Sequence, residues 1–115
     1  MTSELTARKC EPCEGGTAPL TTSEAQAYME QTPAWQLITD DPHKVNRDLQ
    51  FKDFVEAMKF VNRVADVAEE EGHHPNIYIS WNKVNLELYT HSIGGLSVND
   101  FIMAAKIDAL EGGGA

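Results

Sequence analysis

The sequence predicts an α+β fold: a four-stranded antiparallel sheet with three helices packed on one face, in the order α-β-β-α-β-β-α. Three observations carry this expectation. A long apolar pattern at helical spacing occupies residues 53–72. Two pairs of short alternating segments flank it, each pair joined by turn residues. A Ser-x-x-Asp start signal at Ser97 opens a final helix near the C-terminus.

Taken in order, residues 1–20 read as an irregular lead that ends at Pro19-Leu20. Thr21 with Glu24 three residues on is a capping-box pattern, and it opens a helix over 22–31 with Ala25, Tyr28 and Met29 on one face. Pro33 stops it. Residues 35–39 form a short strand, Asp40-Asp41-Pro42 supplies turn chemistry, and Val45, Arg47, Leu49 and Phe51 alternate along a hairpin partner over 44–51. Asp53 is a good N-cap for the longest helix, with Glu56 at the capping-box position. Its stripe is read as Phe54, Met58, Val61, Ala65 and Ala68, widened by Phe60, Val64 and Val67.

Gly72 is a natural helix terminator and Pro75 forbids continuation, while the acidic run Glu69-Glu70-Glu71 reads as a solvated helix end. Ile77, Ile79 and Trp81 alternate as a third strand. With Asn82-Lys83 as the turn, Val84, Leu86, Leu88 and Thr90 make the fourth, leaving Lys83, Asn85, Glu87 and Tyr89 on a polar or assembly face. The last helix runs over 98 to about 110, and 112–115 read as a flexible tail. The folded domain is thus expected over 21–111. Open sheet edges favour oligomerisation.

Composition narrows the partners. At 115 residues the chain suits one domain with a single core. Nine Lys and Arg against eighteen Asp and Glu leave a formal charge of -9, which disfavours nucleic acid and anionic membranes and suits a neutral small molecule. No apolar run approaches a membrane span, and Met1 to Lys9 lack the apolar stretch of a secretory signal, so a cytoplasmic protein is expected. Cys10 and Cys13 form a lone C-x2-C. A tetrahedral zinc site needs two further ligands, so the pair reads as reduced thiols in the lead.

The chemistry concentrates in His73, His74 and His91, three of the four histidines. Imidazole exchanges protons near neutrality, with an unperturbed pKa of about 6.5. Counting outward from an Asn82-Lys83 turn pairs Trp81 with Val84, Ile79 with Leu86 and Ile77 with Leu88, which brings Pro75 to Thr90 and His74 beside His91. Three readings compete: junction histidines that balance the acidic helix end, a metal site, and acid–base catalysis. Adjacent His73 and His74 tend to point apart in extended chain, so joint ligation is awkward, and neither H-x-H nor H-E-x-x-H occurs. Ser80, Ser92 and Ser97 lack nucleophile context. Proton-shuttling reactions such as dehydration or tautomerisation are therefore favoured over acyl transfer. His43, after Pro42, reads as a surface histidine, and Trp35 as core.

The run Glu69-x3-His73-His74-Pro75-x5-Trp81-x9-His91-x8-Asp100 resembles the signature of the pterin-4a-carbinolamine dehydratases. The stretches Trp81-Asn82-Lys83-Val84 and Gly94-Gly95-Leu96-Ser97 are similar to it as well, and Leu5 to Cys10 with Cys13 to Gly16 resembles bacterial members. The resemblance implies dehydration of 4a-hydroxytetrahydrobiopterin, or a related pterin, to quinonoid dihydropterin for recycling to aromatic amino-acid hydroxylases. It implies no metal and no organic cofactor, and a homodimer or homotetramer. His73, His74 and His91 would be catalytic, with His74 as a principal acid–base group and His73 and His91 orienting and polarising. Asp100 would orient His91. Glu69 would be a supporting acid with a structural role, and Pro75, Trp81 and Thr90 would be substrate-pocket residues. The transcriptional role of vertebrate members does not follow from any motif here. The alternative is a non-catalytic pterin-binding or dimeric interaction module, for example one related to molybdopterin.

Overall fold

The computed structural model describes residues 4–7, 10, 18–40 and 42–113. The expectations placed on Cys13 and its glycine-rich surroundings, on Asp41, and on the last two residues lie outside them.

Helix α1 (Thr22–Met29) starts with the full reciprocal capping box of Thr21 and Glu24 and buries Ala25. It ends two residues before the expected boundary, where Gln31 and Thr32 turn back on the carbonyls of Tyr28 and Met29. Strand β1 (Gln36–Ile38) and strand β2 (Lys44–Gln50) pair antiparallel, with Leu37 opposite Val45. The Trp35 indole is core, and its Nε1–H donates to Asp108 Oδ1 at 2.9 Å. Arg47 reaches the same carboxylate oxygen at 2.5 Å, so one acid of the last helix fastens two segments of the first hairpin.

Helix α2 (Phe54–Glu71) has the Asp53 cap, whose side chain accepts from the Glu56 N–H. Its buried stripe is Ala57, Phe60, Val61, Val64 and Ala68. The expected stripe is therefore rotated: Phe54 and Ala65 face outward. Both series have helical spacing, and the flanking apolar residues allow either, so packing against the sheet selects the face. Gly72 ends the helix in the left-handed region at φ 67°, where a side chain is strained.

Strand β3 (Asn76–Ser80) and strand β4 (Lys83–Leu88) form the second hairpin, and the sheet order is β1-β2-β4-β3. The turn is Trp81-Asn82, one residue earlier than expected. Ser80 pairs with Lys83, Ile79 with Val84 and Ile77 with Leu86. The register thus differs from the counted one by two residues, which keeps each side chain on its predicted face. Asn82 causes the difference. Its Nδ2 donates to the Phe51 carbonyl at 2.9 Å while its own carbonyl accepts the Phe51 N–H at 2.8 Å, sewing the turn to the end of β2. Trp81 is left at φ 52° on the exposed tip.

Val84, Leu86 and Leu88 of β4 are buried together with Val45 and Leu49 of β2 beneath helix α3 (Val98–Gly113), whose Phe101 to Ala105 and Ile107 are all core. Helix α3 continues past the expected end near residue 110. The opposite face is polar, as expected: Asn85 bonds Asn46 and Asp48, and Glu87 bonds Asn76. In the stretch read as an irregular lead, Glu4–Ala7 make a 3-10 turn and Leu5 joins the core. Among the described residues, no helix is long and apolar enough to cross a membrane.

Candidate active site

Two chain reversals meet at one end of the sheet. After Gly72, the His73 N–H still bonds the Ala68 carbonyl at 3.2 Å, and the chain then extends through His74 and Pro75 into β3. Beyond β4, Thr90 and Gly95 form an isolated bridge around a 3-10 turn over His91–Ile93. Asp100 sits in the first turn of α3 just behind that bridge. A cavity of about 630 Å³ opens between these segments, lined by His73, His74, Pro75, Tyr89, Thr90 and His91, with Cys10, Glu71 and Asn99 also on its walls.

The inner wall is a buried polar network. His73 Nε2 lies 2.6 Å from Asp100 Oδ1. The other carboxylate oxygen accepts the Thr90 hydroxyl at 2.8 Å and the Ser97 N–H at 2.9 Å, and Asp100 is fully buried. A carboxylate only accepts, so the His73 ring carries its proton on Nε2 and leaves Nδ1 for exchange. Asp100 also serves α3 directly, since its bond to the Ser97 N–H is one arm of the predicted cap. The Ser97 hydroxyl turns instead to Thr90 at 2.8 Å.

The outer wall has the same pair chemistry in solvent. His74 Nε2 lies 2.5 Å from Glu69 Oε2, with the two side chains 59% and 78% exposed. His91 is exposed and meets the Tyr89 ring at a centroid distance of 4.1 Å.

Cys10 and Glu71 complete the inner side. The Cys10 N–H donates to Glu71 Oε1 at 2.8 Å, and Lys106 Nζ donates to Oε2 at 3.0 Å. The Cys10 thiol lies 3.6 Å from the Asn99 carbonyl. Burial, reinforced by the Glu71 and Asp100 carboxylates against the opposing Lys106 charge, pushes this thiol up to about 12.

Four expectations need correction. Asp100 holds His73 rather than His91. The shifted register explains it: carried outward from the Asn76–Glu87 pair, it sets His73 toward Thr90 and His74 toward Tyr89, so His74 does not pair with His91. Trp81 does not line the cavity, because it caps the far end of β3 and is 65% exposed. Glu71 is no solvated helix end, since its side chain is 3% exposed and ion-paired. Pro75 and Thr90 do line the cavity. Among the described residues, no group of three or more His, Cys, Asp or Glu side chains is placed to hold a metal ion.

Sequence reasoning missed Tyr89 as a cavity residue, although it stands two positions before His91, the spacing that puts side chains on one side of extended chain. It also missed Cys10 and Glu71, for which no local signal exists.

The family model for pterin 4 alpha carbinolamine dehydratase matches residues 18–110. The chain belongs to that family. A protein of Methylococcus capsulatus, provisionally named a pterin-4-alpha-carbinolamine dehydratase, is 47% identical over 106 residues, covering 92% of each chain. A relative of the same provisional name from Azoarcus is 44% identical over 114 residues, or 99% of this chain and 97% of the relative. Among solved structures, the transcriptional coactivator/pterin dehydratase of Brucella melitensis is 34% identical with a TM-score of 0.75, over 80% of this chain and 97% of that one. A pterin dehydratase-like RuBisCO assembly factor of the alpha-carboxysome is 28% identical with a TM-score of 0.60, over 69% of this chain and 90% of that one.

Proposed function

We propose that the chain is a hydro-lyase that dehydrates a 4a-hydroxytetrahydropterin to quinonoid dihydropterin, with its own histidines as the acid and base. The observation that carries this reading is the convergence of three imidazoles on one cavity of about 630 Å³, two of them held by carboxylates. That volume suits a small heterocycle, since such sites run to about 300–1,000 Å³. Family membership supplies the substrate class.

The chemistry needs one proton given and one taken. The C4a–O bond breaks with its electron pair leaving on oxygen, and His74 protonates the departing hydroxyl to water. The N5 lone pair forms the C4a=N5 double bond. His73 takes the N5 proton on Nδ1, and the N5–H electron pair returns to nitrogen. Buried Asp100 balances the positive charge that appears on His73, as the carboxylate does in a catalytic triad. His91 faces solvent, and among the described residues its ring nitrogens have no hydrogen-bond partner, so it relays protons that reset the pair. Well-placed groups of this kind contribute about 10²–10⁴ in rate each.

The test follows the loss of 4a-carbinolamine absorbance with purified protein, before and after chelation. Acceleration should persist with chelator and fall by at least about 10³ in a His73→Ala/His74→Ala double variant. Undiminished activity in that variant sinks the site, and activity lost together with a stoichiometric metal sinks the metal-free reaction. Pterin recycling beside an aromatic amino-acid hydroxylase in the cytoplasm is the proposed setting; a coupled hydroxylation whose turnover the protein does not sustain counts against it. Assembly as a homodimer or homotetramer is supported by the edge position of β3 and its exposed Tyr78 and Ile79. Sedimentation as a monomer rules it out.

A second reading is favoured by the dehydratase-like assembly factor, whose fold this chain shares. In that reading the chain is a non-catalytic pterin-binding or interaction module, and tight pterin binding with no turnover decides for it.

A further inference from the structure

We infer that Tyr89 is a positioning residue: it fixes the His91 imidazole through its ring face, so that both nitrogens of that imidazole remain available for proton exchange. This rests on the proposed proton relay and deepens it.

The three imidazoles are held in two different ways. His73 and His74 each commit Nε2 to a carboxylate, at 2.6 and 2.5 Å. Each therefore keeps one nitrogen for chemistry. His91 has no such bond among the described residues, and its one ring contact there is Tyr89, at a centroid distance of 4.1 Å and an interplanar angle of 42°. A ring held by its face keeps both nitrogens free. A group that must accept a proton at one nitrogen and release another to water needs both.

His91 also needs a holder. It opens a 3-10 turn that ends at Gly94 in the left-handed region, and that turn is fastened by backbone bonds between Thr90 and Gly95. Those bonds place the His91 backbone but leave its side-chain torsions open. Tyr89 is better anchored. It is half-buried against the core, and Lys44 Nζ lies 5.7 Å from its ring centroid. Lys44 in turn faces Glu87 at 3.8 Å, and Glu87 accepts from Asn76 at 3.2 Å. The aromatic ring is thus tied to β2 and β3, and the extended backbone at Thr90 leaves it against the His91 ring.

The experiment compares Tyr89→Leu with Tyr89→Phe, using steady-state dehydration of the 4a-carbinolamine and the His91 ring-proton resonances. Tyr89→Leu removes the aromatic face at similar bulk. It should displace the His91 resonances and lower kcat about tenfold, with KM changed less than about threefold, because misplacing a catalytic group costs rate rather than binding. Tyr89→Phe keeps the face and should restore both the resonances and most of kcat. Resonances that ignore the loss of the aromatic ring overturn the inference, as does a kcat within about twofold of the parent when the resonances do move. Tyr89→Met repeats the test should the leucine variant fail to fold. If the parent protein does not dehydrate the carbinolamine at all, the proposed reaction falls, and the resonances alone then decide whether Tyr89 holds His91.

Discussion

The two walls of the cavity carry the same chemistry under opposite solvation. Glu69 and Glu71 stand two residues apart on the last turn of α2, and His73 and His74 are adjacent just beyond it. On the outer wall, Glu69 meets His74 in water. On the inner wall, Glu71 is buried under Lys106 and Cys10, and His73 sits on fully buried Asp100. Both are imidazole–carboxylate pairs, and they differ in burial and in where the acid comes from: five positions before His74 on the outer wall, twenty-seven beyond His73 on the inner. Buried pairs are costly to break because the remaining partner is left uncompensated, whereas exposed pairs are worth little. The inner wall should therefore set the rate and the stability of the site, with the outer wall tuning it.

The largest expected effect comes from Asp100→Asn, which keeps shape and removes charge. The amide has one accepting oxygen, and the Thr90 hydroxyl and Ser97 N–H claim it. Its NH2 then faces His73 Nε2, which must become an acceptor, so the His73 proton moves to Nδ1 and the base is lost. A fall in kcat of about 10⁴ is expected, by analogy with the asparagine variant of a catalytic triad. Nitrogen NMR of the His73 ring should show the exchanged tautomer. A kcat within tenfold of the parent, or an unchanged tautomer, would break the contrast between the walls.

Cys10 probes the inner wall without touching the histidines. A thiol held at about 12 by burial and neighbouring carboxylates is almost wholly protonated at pH 8. Alkylation by iodoacetamide at that pH should be slower by on the order of 10²–10³ than for a free thiol, since only the thiolate reacts. The sign for stability follows. The folded-state value lies above the ordinary value of 9.0, so the thiol's contribution to folding is complete below pH 9 and is lost as pH rises from 9.0 toward about 12. Against a Cys10→Ala reference, the parent should lose denaturant stability over that window. Rapid alkylation of the folded protein would show that the inner wall opens to water.

The same contrast explains what was legible in the chain. The strand and helix order, the Thr21 and Asp53 caps and the Gly72 stop rest on neighbours within four residues, and such signals are local. The convergence of the histidines was also legible, because strand arithmetic carries side chains to a common end. Which histidine met Asp100 was not. That depends on a register of two residues, fixed by Asn82 bonding Phe51 thirty-one positions away. Glu71 looked like Glu69 because its burial comes from Lys106 and Cys10, distant partners with no local trace. The rotated stripe of α2 has the same origin, since Phe54 and Ala65 fit a helical period as well as Ala57 and Val64 do.

Glu69→Gln should have the smallest effect and most sharply tests the outer wall. Its carboxylate faces the negative end of the α2 dipole, which disfavours it, while His74 gains there whenever it is charged. Holding two exposed side chains together costs their rotamer freedom, so the pair should be worth under about 0.5 kcal/mol. The glutamine can still accept from His74 Nε2 through its amide oxygen, so the tautomer survives. Both the change in kcat, at most about threefold, and the change in stability should shrink further as salt rises from 0.1 to 0.5 M, where the screening length falls well below about 10 Å. A loss as large as that of Asp100→Asn, or one that salt leaves untouched, would mean that bound substrate buries the Glu69–His74 pair. The two walls would then be equivalent during turnover, and the contrast between them would vanish once substrate binds.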